Sequence, residues 1–170
     1  MIKIQKFKNP SKTIQVYHGS NYEISKFEHF NHEKYKNESY GPGIYFTNDK
    51  ETAERYGKYL YTIKLNTAGF ITSKSRIDRS TILNIIDTNI DEMILSNYSE
   101  SKHIAYKMLT EAIFNANNYI EILQNIWMEI FNLKSKKYLE ECVKNKINGI
   151  TIDLKNNLKY YIVYNINNII

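Results

Sequence analysis

The chain has 170 residues, enough for one domain, and its 42% apolar, 24% charged and 14% aromatic residues make a globular balance. A single cysteine, Cys142, excludes an internal disulfide and a cysteine-based zinc site, and no apolar run reaches the roughly 20 residues that cross a bilayer. Four of the five net positive charges belong to Lys3, Lys6, Lys8 and Lys12, in a first segment without acids. That predicts a basic N-terminal arm over 1–12, not a uniformly basic nucleic-acid-coating surface.

In chain order, residues 13–72 form a first segment with strand-like runs. Partial alternation at Thr13-Ile-Gln-Val-Tyr17 and Leu60-Tyr-Thr-Ile-Lys-Leu65 predicts two of them. Between them lie a polar stretch over 21–40 and Gly41-Pro-Gly-Ile-Tyr-Phe-Thr47. A short helix follows, with Asn48 as N-cap, Glu51 at capping-box spacing and a stop near Gly57.

Over 79–147 the period becomes helical. Ile82, Ile85, Ile86, Ile90, Met93 and Ile94 predict one helix, and Ala105, Met108, Leu109, Ala112 and Ala116 a second. Tyr119, Leu123, Ile126 and Ile130 give a third, with Trp127 on its apolar stripe. Tyr138, Leu139, Cys142, Val143 and Ile147 give a fourth, closed by Asn148-Gly149, with Cys142 on its buried face. Strands return at Gly149–Leu154 and Leu158–Tyr164 around a turn at Asn156-Asn157. The predicted class is α+β, a single domain over 1–170 with an inserted helical block.

Three features could carry chemistry. Tyr17-His18-Gly19-Ser20 ends a strand with a histidine and a glycine that lets a ligand approach the backbone. Gly41-Pro42-Gly43-Ile44-Tyr45 fixes a tight approach to an aromatic strand, without the Lys-Ser/Thr ending of a phosphate loop. Tyr160-Tyr161-Ile162-Val163-Tyr164 closes the chain. Taken singly, they read as a strand-end histidine, a packed tyrosine and a buried strand. His29, His32 and His103 read as solvated positions, so no metal is expected.

Together, in this order, the three resemble the His-Tyr-Glu branch of the ADP-ribosyltransferases, the diphtheria-toxin and poly(ADP-ribose) polymerase group. The matches are Tyr17-His18-Gly19-Ser20, then Gly41-Pro-Gly-Ile-Tyr45-Phe with Ala53-Glu-Arg-Tyr56, then Tyr161-Ile-Val-Tyr-Asn-Ile166. Tyr45 and Tyr56 stand eleven residues apart, as in that family. The likeness extends to small phage and bacterial effector domains and covers about 13–72 and 147–170.

The resemblance implies split antiparallel β-sheets around a cleft for NAD, used as co-substrate. Tyr45 and Tyr56 would sandwich the nicotinamide, each contact worth roughly 0.5–2 kcal/mol. The Gly19 backbone would hold the carboxamide, His18 would donate to a ribose hydroxyl, and Ser20 would reach the ribose or phosphates. Gly43 and Ala53 complete the implied site, with Phe27, Phe30 or Tyr40 over the adenine. The implied activity is mono-ADP-ribosyl transfer by a toxin or effector. The acceptor is a macromolecule, protein first and nucleic acid second. An antitoxin or inhibitor is a further expected partner, a membrane is not, and the expected compartment is the cytoplasm of the producer or target cell.

The family's glutamate falls on Tyr160, a catalytic position whose neutral hydroxyl brings no negative charge near pH 7. The alternatives are an acceptor supplying its own carboxylate, a stronger nucleophile, or another acid such as Glu23 or Asp153. NAD glycohydrolysis and NAD binding without turnover are the remaining ones. Ala53 replaces a serine of some relatives, a loss of roughly 1 kcal/mol of carboxamide binding.

Overall fold

The strand that starts at Thr13 runs on to Ser20, so β1 (Thr13–Ser20) carries His18 near its end. The computed structural model describes residues 12–27, 39–98 and 101–170. Next come β2 (Ile44–Thr47), α1 (Lys50–Glu54), β3 (Tyr59–Asn66) and a three-residue β4 (Phe70–Thr72). The helical block holds α2 (Arg79–Asn89), α3 (Glu92–Ser96), α4 (Lys102–Phe114), α5 (Tyr119–Glu129) and α6 (Ser135–Lys144). β5 (Gly149–Asp153) and β6 (Lys159–Val163) close the chain as the expected antiparallel hairpin. Its turn passes through Asn156 and Asn157 at φ 59° and 60°, a left-handed conformation that asparagine tolerates.

The six strands join in one mixed sheet, in the order β3-β1-β2-β6-β5-β4. This corrects the expected division into two antiparallel sheets: β2 bridges β1 to β6, and β4 adds a parallel pair to β5. The seam at β1–β2 is nevertheless narrow. β3 follows β1 from Thr13↔Asn66 to Ser20↔Tyr59 and β6 follows all of β2, whereas β1 and β2 are in register at Tyr17↔Thr47 alone.

Alternation along β6 and into Tyr164 just after it distributes the side chains between two cores. Ile162 and Tyr164 face the helical block with Ile82, Ile86, Leu109, Leu123 and Ile126. Tyr161 and Val163 face a smaller cluster with Val16, Ile44, Phe46, Leu65 and Phe70. Trp127 packs partly buried against the first cluster, and Cys142 is fully buried, its thiol pushed up to about 12 by that burial. Among the described residues no helix is long and apolar enough to cross a membrane.

Two local expectations change. Asp49, not Asn48, caps α1: its carboxylate accepts from Thr52 N at 2.7 Å, and the helix ends at Glu54. Gly57 is needed for packing instead, because a Cβ there would lie 2.1 Å from the Ser20 carbonyl carbon. The first helix of the block also divides. Ile90 is extended (ψ 134°), and the Asp91 side chain accepts from Ile94 N at 2.9 Å, starting α3.

Candidate functional site

His18 sits where β1 and β2 diverge beyond their one register pair. Its Nδ1 lies 2.7 Å from the main-chain oxygen of Tyr45, across the seam. A carbonyl only accepts, so Nδ1 carries the proton and Nε2 is the acceptor nitrogen of the neutral ring. The ring is enclosed by Phe27 at 5.4 Å, Phe46 at 5.5 Å and Tyr61 at 6.3 Å between centroids. That burial lowers the His18 pKa below its ordinary value, outweighing the Tyr45 carbonyl, which raises it.

Tyr45 points to the opposite face of the sheet, the alternation placing it with the helical block. Its hydroxyl donates to the Gly41 carbonyl at 2.6 Å and accepts from Tyr40 N at 3.3 Å. The loop over 39–43 is thereby folded back onto the ring it precedes. Gly43, at φ 146°, has no room for a side chain: a Cβ would meet Ile162 Cγ2 at 2.5 Å. The glycine of this motif is therefore fixed by the approach of β6.

Gly19 has the same explanation. A Cβ there would lie 1.8 Å from the Ala53 carbonyl oxygen, so the space is filled by α1, with Ala53 itself fully packed. The Ser20 hydroxyl accepts from Tyr22 N at 3.1 Å, within its own loop. Directly after α1, Tyr56 stands 59% exposed, and its hydroxyl is 3.0 Å from that of Tyr160 on β6. Burial first, and then the Tyr56 hydroxyl, push the Tyr160 phenol up to about 12, with Tyr40 adding a smaller effect. At pH 7 the Tyr160 hydroxyl is neutral.

These contacts form one chain of neighbours. His18 holds the Tyr45 carbonyl, Tyr45 and Tyr40 share a hydroxyl bond, and Tyr40 and Tyr56 both act on Tyr160. His18, Tyr45, Tyr56 and Tyr160, separate in sequence, are brought to one seam of the sheet. Phe27 packs on His18 and Tyr40 lies on the Tyr45 side, so these two aromatics are on opposite sides of it. Phe30, His29, His32, Lys3, Lys6 and Lys8 lie outside the described residues.

Asp153 does not take the place of the glutamate. It pairs with Lys159 across the hairpin, where alternation puts it on the face away from Ile152 and Tyr160. One residue that sequence reasoning placed elsewhere does support the site. The Asn48 side chain accepts from Lys159 N at 2.8 Å and donates to the Asn157 carbonyl at 2.9 Å. Asn48 thus clamps the turn immediately before Tyr160. The available signal was the pair Asn48-Asp49: two cap-forming residues in succession, of which one helix can use one.

The structure defines an α+β domain with a six-stranded, mostly antiparallel sheet and a histidine–tyrosine seam. No family model and no curated protein matches the chain. A solved structure described as the crystal structure of an anti-CRISPR protein is 16% identical, at a TM-score of 0.39, over 89% of this chain and 90% of that one.

Proposed function

We propose that the chain is a NAD-dependent mono-ADP-ribosyltransferase, a toxin or effector that modifies a macromolecule in the cytoplasm of its producer or target cell. The observation that carries this reading is the His18 Nδ1 contact to the Tyr45 carbonyl at 2.7 Å. It links the first two sequence motifs through the His18 side chain.

Bound NAD would supply a labile bond between nicotinamide and ribose. The exposed Tyr56 ring and the Tyr45 ring, each anchored by its hydroxyl, offer faces for the cationic nicotinamide. His18 would hydrogen-bond a ribose hydroxyl. When the acceptor attacks, its bond to the ribose forms as the nicotinamide bond breaks. The leaving group takes the electron pair, and the acceptor's proton passes to water.

Tyr160 supports a second reading, in which NAD binds without turnover. A hydroxyl with a pKa of about 12 gives a developing positive charge no counter-charge. Incubation with labelled NAD and host lysate separates the two. Label on protein or nucleic acid, with stoichiometric nicotinamide, supports transfer. Free ADP-ribose without any target indicates glycohydrolysis, and calorimetric binding without nicotinamide release indicates the silent form.

A further inference from the structure

One edge of the sheet is β3, eight residues long, and the other is the three-residue β4. β3 pairs antiparallel with β1 along its whole length, so the main-chain groups of successive residues point alternately toward β1 and away from it. The Lys64 carbonyl points away. It accepts from Ile170 N at 2.8 Å outside the ladder, where Leu65 also bridges Ile169. The same parity turns the N–H and C=O of Leu60 and Thr62 outward. Neither residue has a hydrogen-bond partner on that side among the described residues.

Proteins usually blunt such an edge by shortening it, bulging it, or placing proline or charge on it. β4 is short. β3 has an unbroken register and no proline, and Tyr59-Leu-Tyr-Thr-Ile63 is uncharged and rich in strand formers. Charge stands at the two ends of this open stretch instead. Lys58, whose ammonium lies 4.8 Å from the Tyr59 ring centroid, marks one end and the exposed Lys64 the other. Neither makes an ion pair among the described residues. Between Glu54 and Asp78 the chain carries Arg55, Lys58, Lys64, Lys74 and Arg76, and no acid.

We infer that this edge docks an extended acidic segment of a protein partner, which adds to β3 as a further strand. Strand addition satisfies the outward groups of Leu60 and Thr62, and alternation sets the sequence that fits. Positions level with Tyr59, Tyr61 and Ile63 lie beside partly buried side chains and take apolar residues. The two end positions meet Lys58 and Lys64 and take acids. Nucleic acid would neutralise the lysines without matching the strand's main-chain groups. A second copy fits less well. Two β3 strands paired antiparallel with Leu60 opposite Thr62 bring Lys58 level with Lys64 twice, and like charges so placed repel. The inference does not rest on the transferase reading.

The probe is acetyl-Glu-Val-Thr-Val-Thr-Val-Glu amide, titrated into the full chain and followed by NMR, beside a control peptide with lysine at both ends. The acidic peptide should bind saturably and slow hydrogen exchange at the Leu60 and Thr62 amides, leaving Tyr61, whose amide faces β1, unchanged. The control should bind about tenfold weaker, as two attractive end pairs become repulsive. Thr62→Pro removes an outward N–H at an edge position, where proline is tolerated, and should weaken the acidic peptide at least tenfold at nearly unchanged thermal stability. Lys58→Glu combined with Lys64→Glu should reverse the preference between the two peptides, and this pair decides the outcome if the proline variant does not fold.

No saturable binding of the acidic peptide, binding without protection of Leu60 and Thr62, or equal binding of both peptides would overturn the inference. Protection of the same amides by a thymidine oligonucleotide, but not by the peptide, would reassign the edge to nucleic acid. Their protection on raising the protein concentration alone would reassign it to a second copy. Either result would overturn the peptide occupant. No titration contains NAD, so its failure leaves the transferase reading standing.

Discussion

The hydroxyl of Tyr56, at the end of α1, lies 3.0 Å from that of Tyr160 on β6, joining residues 104 positions apart across the mouth of the seam. The bond holds the exposed Tyr56 ring in place, and the Tyr160 phenol, pushed up to about 12, is neutral at pH 7. On the transferase reading proposed above, residue 160 is the position to vary.

Tyr160→Glu should raise nicotinamide release from NAD at least tenfold, about 1.4 kcal/mol of barrier, by supplying the missing negative charge. Tyr160→Phe should change stability by no more than about 1 kcal/mol, because the lost bond is a solvent-accessible one. Nicotinamide release by chromatography and thermal melts test the two. An inert, well-folded Tyr160→Glu protein that still binds NAD would count against the transferase reading.

The histidine gives a pH dependence with a definite sign. Burial lowers the His18 pKa in the fold below the unfolded value of about 6.5, so the unfolded chain takes up the proton first. Stability should be constant in this respect above pH 6.5 and fall as the pH drops from there through the lower folded value. Protonation also makes Nε2 a donor, so NAD affinity should change over the same range. The His18 ring protons in NMR report the titration, and His18→Gln should abolish that part of both profiles.

Two glycines should tolerate alanine poorly. Gly43→Ala adds a methyl group 2.5 Å from Ile162 Cγ2 at φ 146°, and Gly19→Ala adds one 1.8 Å from the Ala53 oxygen. Each should cost about 2–4 kcal/mol in urea unfolding, from steric overlap and, at Gly43, backbone strain. A loss of NAD binding without a loss of stability would show that these glycines serve the ligand and not the packing.

Asn48 and Asp49 should separate by location. Asn48→Ala removes two side-chain bonds to the hairpin turn and should cost about 1–2 kcal/mol, with faster hydrogen exchange at the Lys159 amide. Asp49→Ala removes the α1 cap, about 1 kcal/mol, and its exchange effect should centre on Thr52. Equal exchange patterns from the two variants would contradict the division of roles.

The strands at 13–20 and 59–66, the helical block and the closing hairpin were legible because each carries a period of 2 or 3.6 in its own residues. β4 was not, since three residues carry no period and Phe70–Thr72 becomes a strand through β5, some 80 positions on. The break at Ile90 was hidden for a related reason: its apolar pattern continues, and the Asp91 cap competes with it locally.

For the site, the sequence by itself determined which residues to watch. His18, Tyr45, Tyr56 and Tyr160 stood out by order and spacing, and a neutral group at 160 was fixed by residue identity. Only the tertiary structure decided how they meet. Strand order made one sheet, and the divergence of β1 from β2 let the His18 ring reach the Tyr45 carbonyl. That contact assigned the proton to Nδ1. Packing of α1 and β6 explained the glycines, and the Asn48 clamp connected β2 to the hairpin. Local pattern encodes elements because neighbouring residues share them; proton positions and close approaches depend on atoms far apart in the chain, whose distances no local period records.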